Sequence, residues 1–264
     1  MRFFINIFIV HFLFCTGCQS LDNGATSEEK SSSIQKIKSL RIQGIPYEHF
    51  IDQRSAFIVN GQDIHQILSI APNQLNIAVK ESLDSDIQPN IGSAAAITRD
   101  GYYLTAAHVL NEHSAEHLWL IPRHVSNRRY SKARVVWISE KADIAIVKAK
   151  YRTAFYQFGN PKWYKNFTVI VAGLFGGNSS GSILEVNKYS SKRPDILKVV
   201  HTSPITKGDS GGALLSKKGE LIGINYKLEK TINSYGLSLV RGHALFLSPE
   251  KVFQIIQNDR LKIH

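Results

Sequence analysis

From Leu75 to Ser248 the chain alternates short apolar runs with polar turn residues. LNIAVKES, IGSAAAIT, YYLTAA, HLWLIP, ARVVWIS and DIAIVKA form a first set, and FTVIVAGLFG, SGSILEV, ILKVVHTS, GALLS, ELIGINYK, YGLSLV and HALFLS a second. Runs of this length, bounded by Gly, Asn, Ser and Lys, predict strands joined as a meander. Two antiparallel barrels or a sandwich both satisfy the pattern. The closing stretch SPEKVFQIIQNDRLKIH changes period: Ser248 suits an N-cap, Pro249 the first helical position, and Val252, Ile255 and Ile256 share one face. That predicts a helix over about 249–258. A shorter helical pattern runs from Gln62 to Ile70, and no internal repeat is visible.

The beginning of the chain is of another kind. MRFFINIFIVHFLFCTGCQS carries one positive charge at Arg2, an apolar run from Phe3 to Phe14 and small residues at Thr16 and Gly17. This is the layout of an export signal over 1–17. The run is too short for the roughly 20 residues a spanning helix needs. CTGCQS resembles the bacterial lipoprotein processing box, which implies cleavage before Cys18 and its acylation, with Cys15 standing where leucine is usual. Gln19 at the next position implies an outer-membrane lipoprotein; ordinary cleavage near Gly17, giving a soluble secreted or periplasmic chain, is the alternative. The polar, serine-rich stretch that follows reads as a tether over 18–57. Both cysteines lie at the signal, so the remainder can form no internal disulfide.

The formal net charge of +11 raises the question of an anionic partner. The basic residues are scattered, and the short clusters Arg128-Arg129 and Lys217-Lys218 lack interleaved aromatics. No nucleic-acid partner is expected. Attraction to an anionic membrane fits the charge and a lipid anchor together.

Three segments carry chemistry when read together: LTAAHVL around His108, EKADIAIVKA around Asp143 and KGDSGGALL around Ser210. A serine hydroxyl is a poor nucleophile near neutral pH. It needs an imidazole to take its proton and an acid to hold that imidazole in one tautomer. His108, Asp143 and Ser210 are of those types. Gly208 and Gly211 open backbone angles closed to other residues, so the N–H groups of Gly208 and Ser210 can converge as an oxyanion hole.

With those residues in view, the sequence resembles the trypsin-like serine peptidase superfamily, and more closely its bacterial HtrA-like branch. GYYLTAAHVL, ADIAIVKA, VAGLFGG, HTSPITKGDSGGAL and GELIGIN carry the likeness, in order and spacing. The resemblance implies an all-β fold of two antiparallel six-stranded β-barrels with a C-terminal helix. The peptidase domain would run over 58–264, with barrel one about 72–150 and barrel two about 151–247. It implies a serine endopeptidase acting on protein or peptide substrates, with no cofactor and no metal. By position in the family, Pro204 falls on the floor of the substrate pocket, and Asn225, Tyr226 and the stretch around His243 on its walls. With no carboxylate there, an apolar or small side chain is the expected preference; His243 offers an acidic one as the alternative.

Two features depart from the branch. No PDZ segment is expected after the helix, and Asp209 precedes the nucleophile where HtrA proteins carry Asn. In digestive enzymes that Asp pairs with a new ammonium group released by proteolysis, and IVNG at Ile58 to Gly61 resembles their activation site. Phe57 ahead of it is the wrong residue for such a cut, so constitutive folding is expected. HSAEH, His113 to His117, matches a zinc-peptidase pattern but has no third ligand and reads as a loop. A catalytically silent, peptide-binding lipoprotein of the same fold is the competing function.

Overall fold

The computed structural model describes residues 40–60, 90–110, 117–123, 130–139, 141–163, 165–173, 177–232 and 238–262. The signal, Cys18, the Gln62–Ile70 pattern and most of HSAEH lie outside the described residues. The fold opens with a small hairpin, β1 (Arg41–Ile42) and β2 (Ile45–Pro46), and a short helix, α1 (Tyr47–Asp52). Ile42, Tyr47, Phe50 and Ile51 are buried, so the end of the expected tether is part of the fold.

Six strands follow: β3 (Ser55–Asn60), β4 (Asn90–Ala96), β5 (Tyr102–Thr105), β6 (Leu118–Pro122), β7 (Ser131–Ile138) and β8 (Ala145–Ala149). They close in the order β3-β4-β5-β8-β7-β6, with β6 returning to β3. Side chains alternate across the wall with the period of two that strands impose. Ala145, Val147 and Ala149 point into the barrel, and Ile144 and Ile146 into the neighbouring core.

The barrel begins at Ser55, well ahead of the expected start near residue 72. SAFIVN is buried along its whole length, which reads from sequence as a run without alternation. β3 is paired on both sides, with β4 through Ile58 and Gly92 and with β6 through Ile58 and Leu120. IVNG therefore lies largely within an interior strand of the wall and not at a free chain end.

The second half contains β9 (Thr168–Val171), β10 (Ser179–Ser190), β11 (Arg193–His201), β12 (Ala213–Ser216), β13 (Leu221–Ile232) and β14 (Ser238–Leu247). Here the expectation of a second barrel like the first is corrected. These strands pair in the order β10-β11-β14-β13-β12-β9, with β9 returning to β10 from the Thr168–Ser182 pair to the Val171–Ser179 pair, but β9 and β12, of four residues each, close only the inner part. Beyond it, β13 and β14 continue as a two-stranded arm from the Leu228–Gly242 pair to the Ile232–Ser238 pair, past the last contact of β14 with β11 at Gly242. Lys227, Glu229 and Lys230 explain the arm: charges on both faces of KLEKTI cannot be enclosed in a core. The result is one regular six-stranded barrel, a second set of six unequal strands that closes only at its inner part and extends outward in the β13–β14 arm, and a helix.

That helix, α2, spans Pro249–Leu261. Ser248 caps it by accepting from the Lys251 N–H, and Val252, Ile255 and Ile256 bury its apolar face, as the sequence predicts. One apolar core joins Tyr102, Leu104 and Ile146 of the barrel to Leu215, Ile224 and Leu245 of the sheet and to the face of α2. Asp259 then fastens α2 to the barrel. It accepts from Arg134 Nη1 at 2.7 Å and from the buried Tyr102 hydroxyl at 2.9 Å. The Arg134 hydrogen bond holds its carboxyl below the ordinary carboxylate value, with Tyr102 adding to the effect against the opposing pull of burial.

Replacing Asp259 by Ala should therefore cost about 2 kcal/mol, the range for hydrogen bonds to a charged group, measured by chemical denaturation at pH 7. A depressed carboxyl stabilises the fold above its unfolded-state value near 3.8 and loses that contribution as pH falls through its lower folded value. The difference between wild type and Asp259→Ala should shrink accordingly in acid.

Candidate active site

The register of one ladder brings His108 and Asp143 together. Thr105, the last residue of β5, pairs with Ala145, the first of β8. The chain leaving β5 and the chain entering β8 thus meet at the same end of the barrel. Beyond β5 the backbone tightens into a single 3-10 turn, Ala107–Leu110, whose buried Val109 and Leu110 pin it and leave His108 outside. His108 is 49% exposed, and its Nδ1 lies 2.6 Å from Asp143 Oδ2. The other carboxylate oxygen accepts the His108 backbone N–H at 2.8 Å. Burial alone would raise the Asp143 carboxyl, but the His108 side chain and the backbone N–H groups of His108 and Ala107 outweigh it and hold it below its ordinary value. An ionised Asp143 facing Nδ1 places the ring's proton there and leaves Nε2 as the outward nitrogen.

Ser210 sits in the turn that leads into β12. Within this turn the Asp209 N–H donates to Thr206 O at 3.0 Å, that of Gly211 to Asn225 O at 2.7 Å and that of Gly212 to Asp209 O at 2.9 Å. The N–H groups of Gly208 and Ser210 donate to no acceptor among the described residues. Gly208 and Gly211 hold φ of 91° and 87°, angles that L side chains rarely adopt. Asp209 is buried, and its Oδ2 accepts from both the N–H and the hydroxyl of Thr206 at 2.9 Å each.

Strand β4 joins the two halves of the site, a role that IGSAAAIT did not reveal. The Ser93 N–H donates to Ser210 O at 2.7 Å, and the Ser93 hydroxyl to Gly208 O at 2.8 Å. Thr105 Oγ1 donates in turn to Ser93 O at 2.8 Å. Contact is so close that a Cβ on Gly92 would meet the Val109 methyls at 2.6 and 2.7 Å and Ser210 O at 2.9 Å. Gly92 thus touches both the turn that bears His108 and the turn that bears Ser210. Among the described residues no hydrogen bond joins the two side chains directly.

The residues expected around a substrate pocket take different positions. Pro204 is exposed, and its carbonyl accepts the Ser179 hydroxyl at 2.6 Å. Asn225 is fully buried; its amide donates to Gly212 O at 3.0 Å and accepts from His201 Nε2 at 3.1 Å. Its side chain supports the Ser210 turn from behind. Tyr226 is the extra residue of a bulge between the Asn225–Ala244 and Lys227–His243 pairs. The bulge turns it toward the seam, where it packs on both the shared core and the barrel core. His243 is buried, edge-on to Tyr226, with Nε2 at 2.7 Å from Glu229 Oε2. Pocket residues were placed by family position, whereas the bulge that separates Asn225 from Tyr226 leaves no mark in sequence.

A model of the trypsin-like peptidase domain matches residues 92–224, half of the chain. The chain belongs to the trypsin-like peptidase family. The matched span contains His108, Asp143 and Ser210. Among curated relatives of this family member, the serine protease Do-like HtrA of Lactobacillus helveticus is 31% identical over 61% of this chain and 40% of its own length. The periplasmic pH-dependent serine endoprotease DegQ of Escherichia coli is 29% identical over 54% of this chain and 32% of its own. The matches thus span less than half of these relatives. Among solved structures, an HtrA-type protease AlgW variant with a tripeptide superposes with a TM-score of 0.55 at 18% identity, covering 81% of this chain and 63% of that one. This likeness shows the fold. The two curated relatives named are bacterial serine proteases, the first of them of the HtrA type.

His201, which backs Asn225, gives the site an acid limit. Burial drives its imidazole from the ordinary 6.5 down to about 4. A histidine kept neutral in the fold favours folding above its unfolded value and disfavours it as pH falls from 6.5 toward 4. Unfolding midpoints measured across that window should decline for the wild type and less steeply for His201→Gln, whose amide can still donate to Asn225.

Proposed function

We propose that the chain is an exported serine endopeptidase in which Ser210 is the nucleophile, His108 the general base and Asp143 the group that orients it. The observation that carries this reading is the double engagement of His108 by Asp143, at ring and backbone, beside a turn whose Gly208 and Ser210 N–H groups stand uncommitted. Ser210 Oγ adds to the scissile carbonyl carbon while its proton passes to His108 Nε2. The oxygen that becomes negative is received by the Gly208 and Ser210 N–H groups. The C–N bond then breaks, the amine takes the proton from His108, and an acyl-enzyme ester remains on Ser210. Water enters next, gives its proton to Nε2, attacks the ester and frees the acid, with Ser210 recovering the proton.

Ser93 is the positioning residue of this scheme. Its hydroxyl fixes the carbonyl of Gly208, between the two oxyanion donors, and its N–H fixes the carbonyl of Ser210. The substrate side chain would be received near Pro204, Tyr226 and His243; with His243 engaged by Glu229, an apolar or small residue suits this surface better than an acidic one. The name of the periplasmic DegQ relative supports an exported location. Cleavage before Cys18 and its acylation would hold the chain to the envelope membrane, most simply the outer one.

A fluorophosphonate probe should label the wild-type protein and not Ser210→Ala; an unlabelled wild type would mean the silent peptide-binding alternative. His108→Ala and Ser210→Ala should each lower turnover of a peptide substrate by about 10⁴-fold or more while melting near wild type. Ser93→Ala should lower kcat by about tenfold with KM within about twofold, the signature of a lost transition-state contact. Mass spectrometry of the mature N-terminus reads the anchor: an acylated Cys18 supports it, and an unmodified start sinks it.

A further inference from the structure

A second concave region lies where the beginning of the fold packs against the connection between the two halves. None of its lining residues belongs to the site above. It is a cleft of about 1100 Å³, lined by Arg41, Arg54, Arg99, Arg152, Lys217 and Lys218 together with Glu220. The six cations come from five separate segments of the chain: the opening hairpin, the turn between α1 and β3, the β4–β5 turn, the connection after β8 and the β12–β13 turn. Among the described residues no carboxylate forms an ion pair with any of them. Glu220 instead accepts the Ser216 hydroxyl at 3.0 Å. Arg54 is the fixed member: its guanidinium lies 3.7 Å over the Phe50 ring and donates to the carbonyls of Phe50 and Phe155.

Next to this cleft, and sharing Arg99, Arg152 and Phe155 with it, is a second one of about 610 Å³. Its character is different. Phe155, Tyr156, Phe158 and Phe253 line it, and Phe253 is 51% exposed on α2. The acid at its rim, Asp100, is already held by Lys148 and Arg260 at 3.1 and 3.0 Å. A basic cleft that opens onto an aromatic one matches a molecule with an anionic head and an apolar body.

From this juxtaposition we infer that the paired clefts bind an anionic lipid, with the phosphodiester of the headgroup against Arg99, Arg152 and the neighbouring cations and the start of the acyl region against Phe253. Arginine forks suit phosphate oxygens, and an aromatic rim suits the membrane interface. The choice of a lipid over a free phosphate compound rests on the proposed anchor, because the segment that follows Cys18 joins the fold at Arg41, on the wall of the basic cleft. A lipid held there would lay this side of the peptidase on the membrane.

The full-length chain carrying Cys18→Ser, which has no acyl group, should be tested with vesicles of phosphatidylglycerol in phosphatidylcholine, using pure phosphatidylcholine as the baseline. The double variant Arg99→Glu and Arg152→Glu should lose at least about tenfold in affinity for the anionic vesicles. A control of equal charge change on the β10–β11 hairpin, Lys188→Glu with Lys192→Glu, should lose less than about twofold. Phe253→Ser should weaken vesicle binding while leaving binding of inorganic pyrophosphate, read by calorimetry, unchanged. Equal losses in the cleft and control variants would overturn the proposal in favour of diffuse surface charge. Pyrophosphate binding that depends on Arg99 and Arg152, with vesicle binding that does not, would overturn it in favour of a soluble phosphate compound. Thermal melting within a few degrees of the parent verifies the fold of each variant. An unacylated Cys18 in the native protein would remove the anchor and leave this outcome standing.

Discussion

The hydrogen bond from the Ser93 N–H to the carbonyl of Ser210 is the point at which two separately built halves become one site. It requires backbone to meet backbone, and the residues around it are selected for that approach. A Cβ on Gly211 would stand 1.9 Å from Ser93 O, and one on Gly92 would strike Val109 and Ser210 together. Glycine at both positions is thus a packing requirement as much as a conformational one. The shared apolar core of Tyr102, Ile146, Leu215 and Ile224 supplies the force that holds the halves at this distance. Small polar atoms then set the fine geometry.

Around that contact, each half contributes what its own topology allows. The barrel contributes an end of the β5–β8 ladder, where a 3-10 turn exposes one histidine and a segment held by the buried Ala142 and Ile144 presents the carboxylate that pairs with it. The sheet contributes a turn whose Asp209, Gly211 and Gly212 N–H groups are tied to Thr206, Asn225 and Asp209, while those of Gly208 and Ser210 donate to no acceptor among the described residues. His201 and Asn225 brace this turn from the interior.

Much of this was legible in the sequence because it depends on local order. The short apolar runs mark most of the strands, the SPEKV start marks α2, and His108, Asp143 and Ser210 stand in contexts that suit their chemistry. The unread parts depend on distant partners. SAFIVN is buried on both faces, so it lacks the alternation that marks a strand, and its place in the barrel is set by β4 and β6. The arm of β13 and β14 reads as ordinary strand, since only pairing shows that its outer half has no third neighbour. Ser93 is one small residue in a strand of small residues, and its hydroxyl matters only because Gly208 comes from 115 positions away. Asp209, which had no evident partner in the sequence, meets Thr206 three residues upstream.

Asp259 carries one more consequence. The barrel is made of residues 55–149, yet the carboxylate that engages its Tyr102 and Arg134 belongs to a helix that begins at Pro249. During synthesis the first half of the fold therefore leaves the ribosome without its fastening and acquires it only after the second sheet has been made. The chain is cross-braced in the order opposite to its production. Completion of α2 seals both halves, and with them the seam where Ser93 meets Ser210.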